Sequence, residues 1–221
     1  MLIPKPVLSI AHATTRSGRH PALDNVLFRR DAHGDPEAIA STGRVIAHVM
    51  WPESPNTEFP DPKGGKLFRE SLTFGDGTGV LVPATALLEA QRNVPKSIKP
   101  ILEHVHLAER QDPVTLTTTD LTRTRVIEEF VDTERDFPDV DTIFASLRDR
   151  VKASPSHYKV SPFRLKEATE IFLKIWKPSD IDSDPPFLDA YTGKDFMRLI
   201  GGENGLVVTV YISLIERREN S

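Results

Sequence analysis

The chain has no cysteine, and it has no apolar run that approaches the roughly 20 residues of a membrane-spanning helix. The absence of cysteine excludes disulfides, thiolate-zinc sites and cysteine nucleophiles. No signal-peptide hydrophobic segment follows Met1, so we expect a cytoplasmic protein that does not associate with membranes. The formal net charge of -4 argues against coating nucleic acid by bulk charge, so any contact with DNA requires a local basic face.

A threefold repeat organises the 221 residues. Pro6, Pro83 and Pro162 lie 77 and 79 residues apart, and each stands between an extended stretch and a short amphipathic segment. Proline suits the first turn of a helix, where its missing N–H is not needed. Strand-like runs follow each predicted helix, at 23–30, 37–41 and 45–51, then at 101–107, 114–119 and 124–131, then at 187–191, 196–200 and 206–214.

The pattern predicts three βαβββ units and an α+β fold of sheets packed against helices. Residues 1–147 then form one domain of two units, interrupted by an excursion over 52–79 that is rich in proline, glycine and charge. Residues 148–156 are predicted to be a linker, and residues 157–221 an additional half domain.

Each predicted helix carries cations opposite its apolar face. In the first helix Leu8, Ala11 and Thr15 oppose His12, Arg16 and Arg19. The other candidate cations are Arg92, Lys96 and Lys99 in the second unit and Lys166, Lys174 and Lys177 in the third. Cations on a helix exterior are ordinarily just solvated, but their recurrence in three units of an acidic chain favours contact with phosphates, which needs no sequence motif.

Four segments resemble the bacterial DNA sliding clamp, the beta subunit of DNA polymerase III. Residues 22–28 resemble the Leu-x-Asn/Gly-Val-Leu strand of that family, and residues 40–47 resemble its Ala-Thr-Asp-Gly-His-Arg-Leu-Ala segment. Residues 82–88 are similar to its Ile-Pro-x-x-x-Leu helix start, and residues 136–140 to the Phe-Pro-Asp segment that closes a domain. The resemblance covers about 6–145 as one complete clamp domain, and 157–214 as a further half.

The resemblance implies a non-enzymatic processivity factor for DNA replication or repair. Such a protein encircles duplex DNA, lays cations over phosphates without reading bases, and tethers polymerase or repair-protein peptides. Rings of the family contain twelve units, so closure would require a homo-oligomer of four chains. The alternative is a ringless clamp-fold interaction module that does not encircle DNA, for example an accessory protein of a mobile element.

The peptide pocket of the family maps onto Gly43, Ile46 and Ile212. Two departures stand against a working pocket: Thr42 and Val45 replace an aspartate and an arginine of the family pattern. The family's Met-Pro-Met-Arg-Leu ending is also replaced by Val-Tyr-Ile-Ser-Leu at 210–214. These departures favour the interpretation of Gly43, Ile46 and Ile212 as ordinary strand and turn residues.

No catalytic or cofactor-binding constellation stands out in the sequence. His104 and His106 alternate as in a strand and could face one side, but no carboxylate partner for a metal is evident. The glycines at 64–65 and 77–79 lack the spacing and the strand context of phosphate-binding loops, and are typical of turns. We therefore expect no enzyme, no cofactor and no metal site.

Overall fold

The computed structural model describes residues 1–15, 20–52, 59–60, 67–68, 79–94, 103–108, 113–119, 123–129, 137–150, 160–176, 188–192, 196–203 and 205–214. The helices are η1 (Lys5–Ala13) and η2 (Pro21–Asp24), both of 3₁₀ type, and α1 (Ala84–Asn93), α2 (Val140–Arg150) and α3 (Pro162–Ile175). The strands are β1 (Leu2–Pro4), β2 (Asn25–Arg30), β3 (Pro36–Ser41), β4 (Val45–Met50), β5 (Phe59–Pro60), β6 (Leu67–Phe68), β7 (Val80–Pro83), β8 (His104–Ala108), β9 (Val114–Thr119), β10 (Thr124–Glu129), β11 (Asp189–Thr192), β12 (Phe196–Glu203) and β13 (Leu206–Ser213). None of the helices in these ranges has the length and apolar character needed to cross a membrane.

The predicted repeat is visible in the order of the elements. The first unit runs β1-η1-β2-β3-β4, and the second runs β7-α1-β8-β9-β10. The third unit shows α3 followed by β11, β12 and β13, and the residues before Val160 lie outside the described ranges. The α+β fold built on this repeat is therefore confirmed.

The first two units exchange their leading strands. β1 leaves its own unit and pairs with β8, with Leu2 opposite His106 and Pro4 opposite His104. In return β7 pairs with β2, with Asn25 opposite Pro83. Each sheet is thus completed by the other unit, and neither unit can form its full sheet alone.

The third unit joins the first through a shared sheet. β13 pairs antiparallel with β4, from Val207 opposite Met50 to Ile212 opposite Val45. The result is a seven-stranded sheet in the order β11-β12-β13-β4-β3-β2-β7, beside a four-stranded sheet in the order β1-β8-β9-β10. The predicted half domain is therefore continuous with the first unit through backbone hydrogen bonds.

Two apolar clusters lie on opposite faces of the seven-stranded sheet. The larger cluster lies between this sheet and the helices, and it includes Leu8, Phe28 and Leu87. The smaller cluster, on the other face, contains Ile39, Val140, Phe144 and Phe196. Since successive strand residues point to opposite faces, β3 is buried along its whole length while β4 alternates between buried and half-buried positions.

Helix α2 was not predicted from the sequence. Its last residues, 148–150, belong to the segment that we predicted to be a linker, and 151–156 lie outside the described ranges. Asp139 starts this helix by accepting hydrogen bonds from the Thr142 backbone N–H at 3.1 Å and hydroxyl at 2.6 Å. Within the predicted excursion at 52–79, the structure describes the short β5–β6 ladder, which pairs Phe59 with Phe68.

We expect Gly201→Ala to destabilise the protein by about 1–3 kcal/mol, because the new methyl group overpacks the contact between α3 and β12. A Cβ at Gly201 would lie 2.6 Å from Cη2 of Trp176 and 2.8 Å from Cδ2 of Leu188. The matched control is Gly202→Ala, whose nearest atom is the Leu206 carbonyl oxygen at 3.3 Å. Urea unfolding measures both variants, and equal losses of stability would contradict this packing.

Candidate nucleic-acid interface

Three helices lie side by side on one side of the sheets and form what we call the helix layer, made of α1, η1 and α3. η1 occupies the middle and packs against both neighbours. The Gln91 side-chain amide of α1 donates a hydrogen bond to the Ser9 hydroxyl of η1 at 2.7 Å. η1 is almost wholly buried, so α1 and α3 supply most of the exposed surface of this layer.

The predicted cations fall into two groups. Arg92 on α1 and Lys166 and Lys174 on α3 are exposed in the helix layer, as the helical spacing predicted. The remaining candidates lie outside the described residues, namely Arg16, Arg19, Lys96, Lys99 and Lys177. The structure therefore brings three of the eight candidate cations onto one layer.

The charge of the described helix layer is only weakly positive. Lys166 forms an i,i+4 ion pair with Glu170, with Nζ and Oε1 3.8 Å apart and both side chains largely exposed. Glu89 is exposed on α1 near Arg92. A surface of this kind can contact phosphates loosely and in a salt-dependent manner, but it offers no arrangement for reading bases.

The first helix differs from its prediction. We expected an exposed face with His12, Arg16 and Arg19 opposite Leu8, Ala11 and Thr15, but η1 ends at Ala13. Thr14 has extended dihedral angles, and the Thr15 hydroxyl donates a hydrogen bond to Asp24. The predicted face is therefore wrong as far as Thr15, because η1 ends before that residue and is enclosed between α1, α3 and the sheets, while Arg16 and Arg19 lie outside the described residues.

The three residues predicted for peptide binding do not share a surface. Gly43 is exposed in the β3–β4 turn, where its φ of 80° favours glycine. Ile212 is fully buried in the core beneath the helix layer. Ile46 lies opposite Tyr211 and packs into the cluster on the other face of the sheet. Ile212 of β13 pairs with Val45 of β4, and Val45 is the neighbour of Ile46. Because successive strand residues point to opposite faces, Ile46 and Ile212 lie on opposite faces of the sheet.

Helix α2 covers the sheet face that contains Ile46. The Phe144 ring stacks on His48 with a centroid distance of 5.0 Å, and it packs against Tyr211 at 5.5 Å. Val140 is buried in the same cluster. The sequence held a signal for this helix, since Val140, Ile143, Phe144 and Leu147 follow helical spacing after Asp139.

A charged cluster fixes α2 to the sheet. Glu37 on β3 is buried and accepts hydrogen bonds from Arg29 Nε at 2.5 Å and His48 Nε2 at 2.7 Å. Arg29 also forms a bidentate pair with Asp141 of α2, at 2.8 and 2.6 Å. The guanidinium group of Arg29 thus bridges a buried carboxylate of the sheet and an exposed carboxylate of the helix.

The protonation states follow from these contacts. Burial alone would raise the pKa of Glu37, but hydrogen bonds and charge from His48, and then from Arg29, outweigh burial and lower that pKa below its ordinary value. The hydrogen bond to Asp141 is the main cause that raises the pKa of Arg29. Glu37 and Arg29 are therefore ionised near neutral pH, and the carboxylate of Glu37 accepts hydrogen bonds from two donors.

The two histidines of β8 do not form a metal centre with the described residues. Among these residues, no three side chains of the metal-binding types lie together. His106 is buried, and burial, assisted by the nearby amino-terminal charge, lowers its pKa to about 4. The neutral His106 ring is therefore a packed strand residue at neutral pH.

Solved structures of DNA sliding clamps are similar to this arrangement. The beta clamp of Helicobacter pylori superposes with a TM-score of 0.61 at 9% identity, covering 96% of this chain and 64% of the clamp. The DNA polymerase III beta subunit of Thermotoga maritima gives a TM-score of 0.53 at 10% identity, covering 97% of this chain and 62% of the subunit. The sliding clamp of Bacillus subtilis gives a TM-score of 0.52 at 9% identity, covering 100% of this chain and 65% of the clamp.

These superpositions show that the chain has the sliding-clamp fold and spans less than two thirds of the length of each of these clamps. In sequence, the chain matches no protein-family model and no curated protein. The likeness is thus one of fold, at identities of 9–10% in these three structures.

We expect Glu37→Gln to lower the free energy of unfolding by about 3 kcal/mol at pH 7, because it leaves Arg29 without its buried counter-ion. Since the folded pKa of Glu37 is lowered, its contribution is complete above the unfolded value of 4.5 and is lost as the pH falls through the folded pKa. The two proteins should therefore converge in stability as the pH falls through the folded pKa of Glu37, which lies below 4.5.

The matched control is Asp141→Asn, because the Asp141 side chain is 72% exposed and pairs with the same arginine. We expect this variant to lower the free energy of unfolding by less than about 1 kcal/mol. Chemical unfolding at several pH values measures both effects. A difference in stability between wild type and Glu37→Gln that stays constant from pH 7 down to the acid unfolding of the wild type would contradict the ionised Glu37.

Proposed function

We propose that this chain is a clamp-fold protein of the cytoplasm that binds duplex DNA without sequence preference and tethers replication or repair partners, without catalysing a reaction itself. The observation that carries the proposal is the helix layer, which exposes Arg92, Lys166 and Lys174 on one side of sheets that have the sliding-clamp fold. Cations held on rigid helices can contact phosphates at any DNA sequence.

Weak contacts suit a protein that has to move along DNA. Each phosphate contact releases condensed counterions, so affinity falls steeply as salt increases. A small number of exposed, solvated cations gives an interaction that holds the duplex and still permits sliding. The modest charge of the described helix layer is compatible with this use, provided that the geometry of an assembled protein keeps the duplex nearby.

Partner tethering has to account for α2. Of the three residues Gly43, Ile46 and Ile212 that we predict to bind a peptide of a polymerase or repair protein, Ile46 lies on the sheet face where Phe144 and Val140 pack. A peptide that contacts Ile46 would have to displace α2 and break the Arg29–Asp141 pair. The exposed β3–β4 turn around Gly43 is open without such a change.

The second candidate is a ringless clamp-fold interaction module. It is favoured by the apolar side chains that share α3 with the two lysines, since Phe163 is 84% exposed and Leu173 is 50% exposed. Large apolar side chains on the surface are typical of protein contacts and contribute little to phosphate binding. Such a module would bind its partner with little dependence on salt.

We expect the triple substitution of Arg92, Lys166 and Lys174 to glutamate to weaken duplex binding and to reduce the slope of log affinity against log salt by up to about 3. The fold should persist, because all three side chains are exposed. Fluorescence anisotropy with a labelled duplex over a salt series measures both quantities.

A charge-matched control reverses Arg30, Arg44 and Arg123, which lie in or beside the turns between strands. This control changes the net charge equally but leaves the helix layer intact. Equal losses in the two triple variants would mean binding by bulk charge, and would contradict the proposal. Absence of duplex binding by the wild type at low salt would favour the ringless module.

A further inference from the structure

One face of the seven-stranded sheet combines apolar side chains with a cation. Residues paired across neighbouring strands point to the same face of a sheet, and so do residues two apart along one strand. By these two relations, the face opposite the helix layer carries the side chains of Arg29, Glu37, Ile39, Ile46, His48 and Tyr211. We call these six residues the docking face, because α2 lies on it. Its strands come from the first and third units, so it exists only in the folded chain.

Helix α2 contacts the docking face through a short motif. Phe144 is buried, and its ring stacks on His48 and packs against Tyr211. Asp141 accepts hydrogen bonds from both terminal nitrogens of Arg29, at 2.8 and 2.6 Å. Since the Asp141 side chain is 72% exposed, water screens this ion pair, and the apolar contacts supply most of the attachment. The motif is thus a carboxylate and, three positions later, an aromatic ring.

The buried charge of the docking face is satisfied without α2. Glu37 accepts its hydrogen bonds from Nε of Arg29 and Nε2 of His48, and both donors lie on strands of the same sheet. Asp141 uses the other two nitrogens of Arg29, Nη1 and Nη2. If α2 leaves, water solvates these two donors, and no buried carboxylate loses a partner. Release of α2 therefore exposes apolar surface but leaves no buried charge of this cluster unpaired.

We propose that α2 is an internal competitor for the docking face, and that this face binds the same motif in a partner protein. The partner presents an amphipathic helix with a carboxylate and, three residues later, an aromatic ring. Its carboxylate pairs with the two Nη donors of Arg29, and its ring takes the place of Phe144 on His48 and Tyr211. This role rests on the partner tethering in the proposed function and adds a condition to it, because the partner binds only after α2 is displaced.

Charge and shape restrict the partner helix. The two Nη donors of Arg29 form a planar fork that matches a carboxylate, so a cation at the position of Asp141 would be repelled. The Phe144 ring contacts two other rings at centroid distances of 5.0 and 5.5 Å, so a small side chain in its place would leave this space unfilled. A partner of this kind is therefore an acidic helix with an aromatic ring, and a basic helix is excluded.

A labelled synthetic peptide with the sequence of residues 137–150 serves as the partner helix, because it contains the whole motif. In the wild type the chain holds α2 beside the docking face at a high effective concentration, so the peptide should bind weakly. Two full-length variants loosen α2, namely Phe144→Ala and Asp141→Arg. Fluorescence anisotropy should show that each of them binds the peptide roughly tenfold or more tightly than the wild type does.

Two controls separate competition from other effects. Ala145→Arg changes an exposed residue of the same helix, so this variant should bind the peptide no better than the wild type does. A peptide that carries Asp141→Arg should not bind the loosened variants, because its cation would face Arg29. Urea unfolding of each full-length variant checks that it is folded before the titration.

Equally weak binding of the peptide by the wild type and by both loosened variants would overturn the proposal, because the docking face would then hold α2 only as part of its own fold. Equally tight binding of the peptides with and without Asp141→Arg would also overturn it, since Arg29 would then select nothing. Duplex binding is measured separately and should be unchanged in the loosened variants, because Arg92, Lys166 and Lys174 lie on the other side of the sheet. Absence of duplex binding would contradict the proposed function without altering the result on α2.

Discussion

The reciprocal exchange of β1 and β7 is the constraint on which the rest of the structure depends. Each strand hydrogen-bonds to the sheet of the other unit and is followed at once by the helix of its own unit. The exchange therefore places η1 and α1 side by side under two sheets and encloses the main core between them.

The two faces of the seven-stranded sheet have different roles. The face toward the helix layer is apolar and holds the main core, which keeps Arg92, Lys166 and Lys174 on a rigid support. The opposite face holds the buried carboxylate of Glu37 and is closed by α2 through Arg29. A candidate DNA-contacting surface and a candidate partner surface are thus separated by one sheet, and α2 covers the second.

Particular residues show where reasoning from sequence succeeded and where it failed. The exposed positions of Arg92, Lys166 and Lys174 followed from helical spacing, because an amphipathic helix has only one face to bury. Peptide binding by Gly43, Ile46 and Ile212 stays a prediction, but the sequence could not show that Ile46 and Ile212 face opposite sides of the sheet, since that depends on the register between β4 and β13, which joins residues far apart in the chain. The exposed face predicted for the first helix was wrong, because η1 is buried by α1 and α3, which belong to the other two units.

The sequence by itself determined the threefold repeat, most strand positions and the α+β class, because periodicity and proline placement are local and act within a few residues. Only the tertiary structure decided that the strands are exchanged, that β13 extends the sheet at β4, and that α2 covers Ile46. These features depend on which strand edges pair and which apolar faces pack together in the folded chain. Pairing between distant segments leaves no local pattern in the sequence, so it is decided by which pairing buries the most apolar surface in the complete fold.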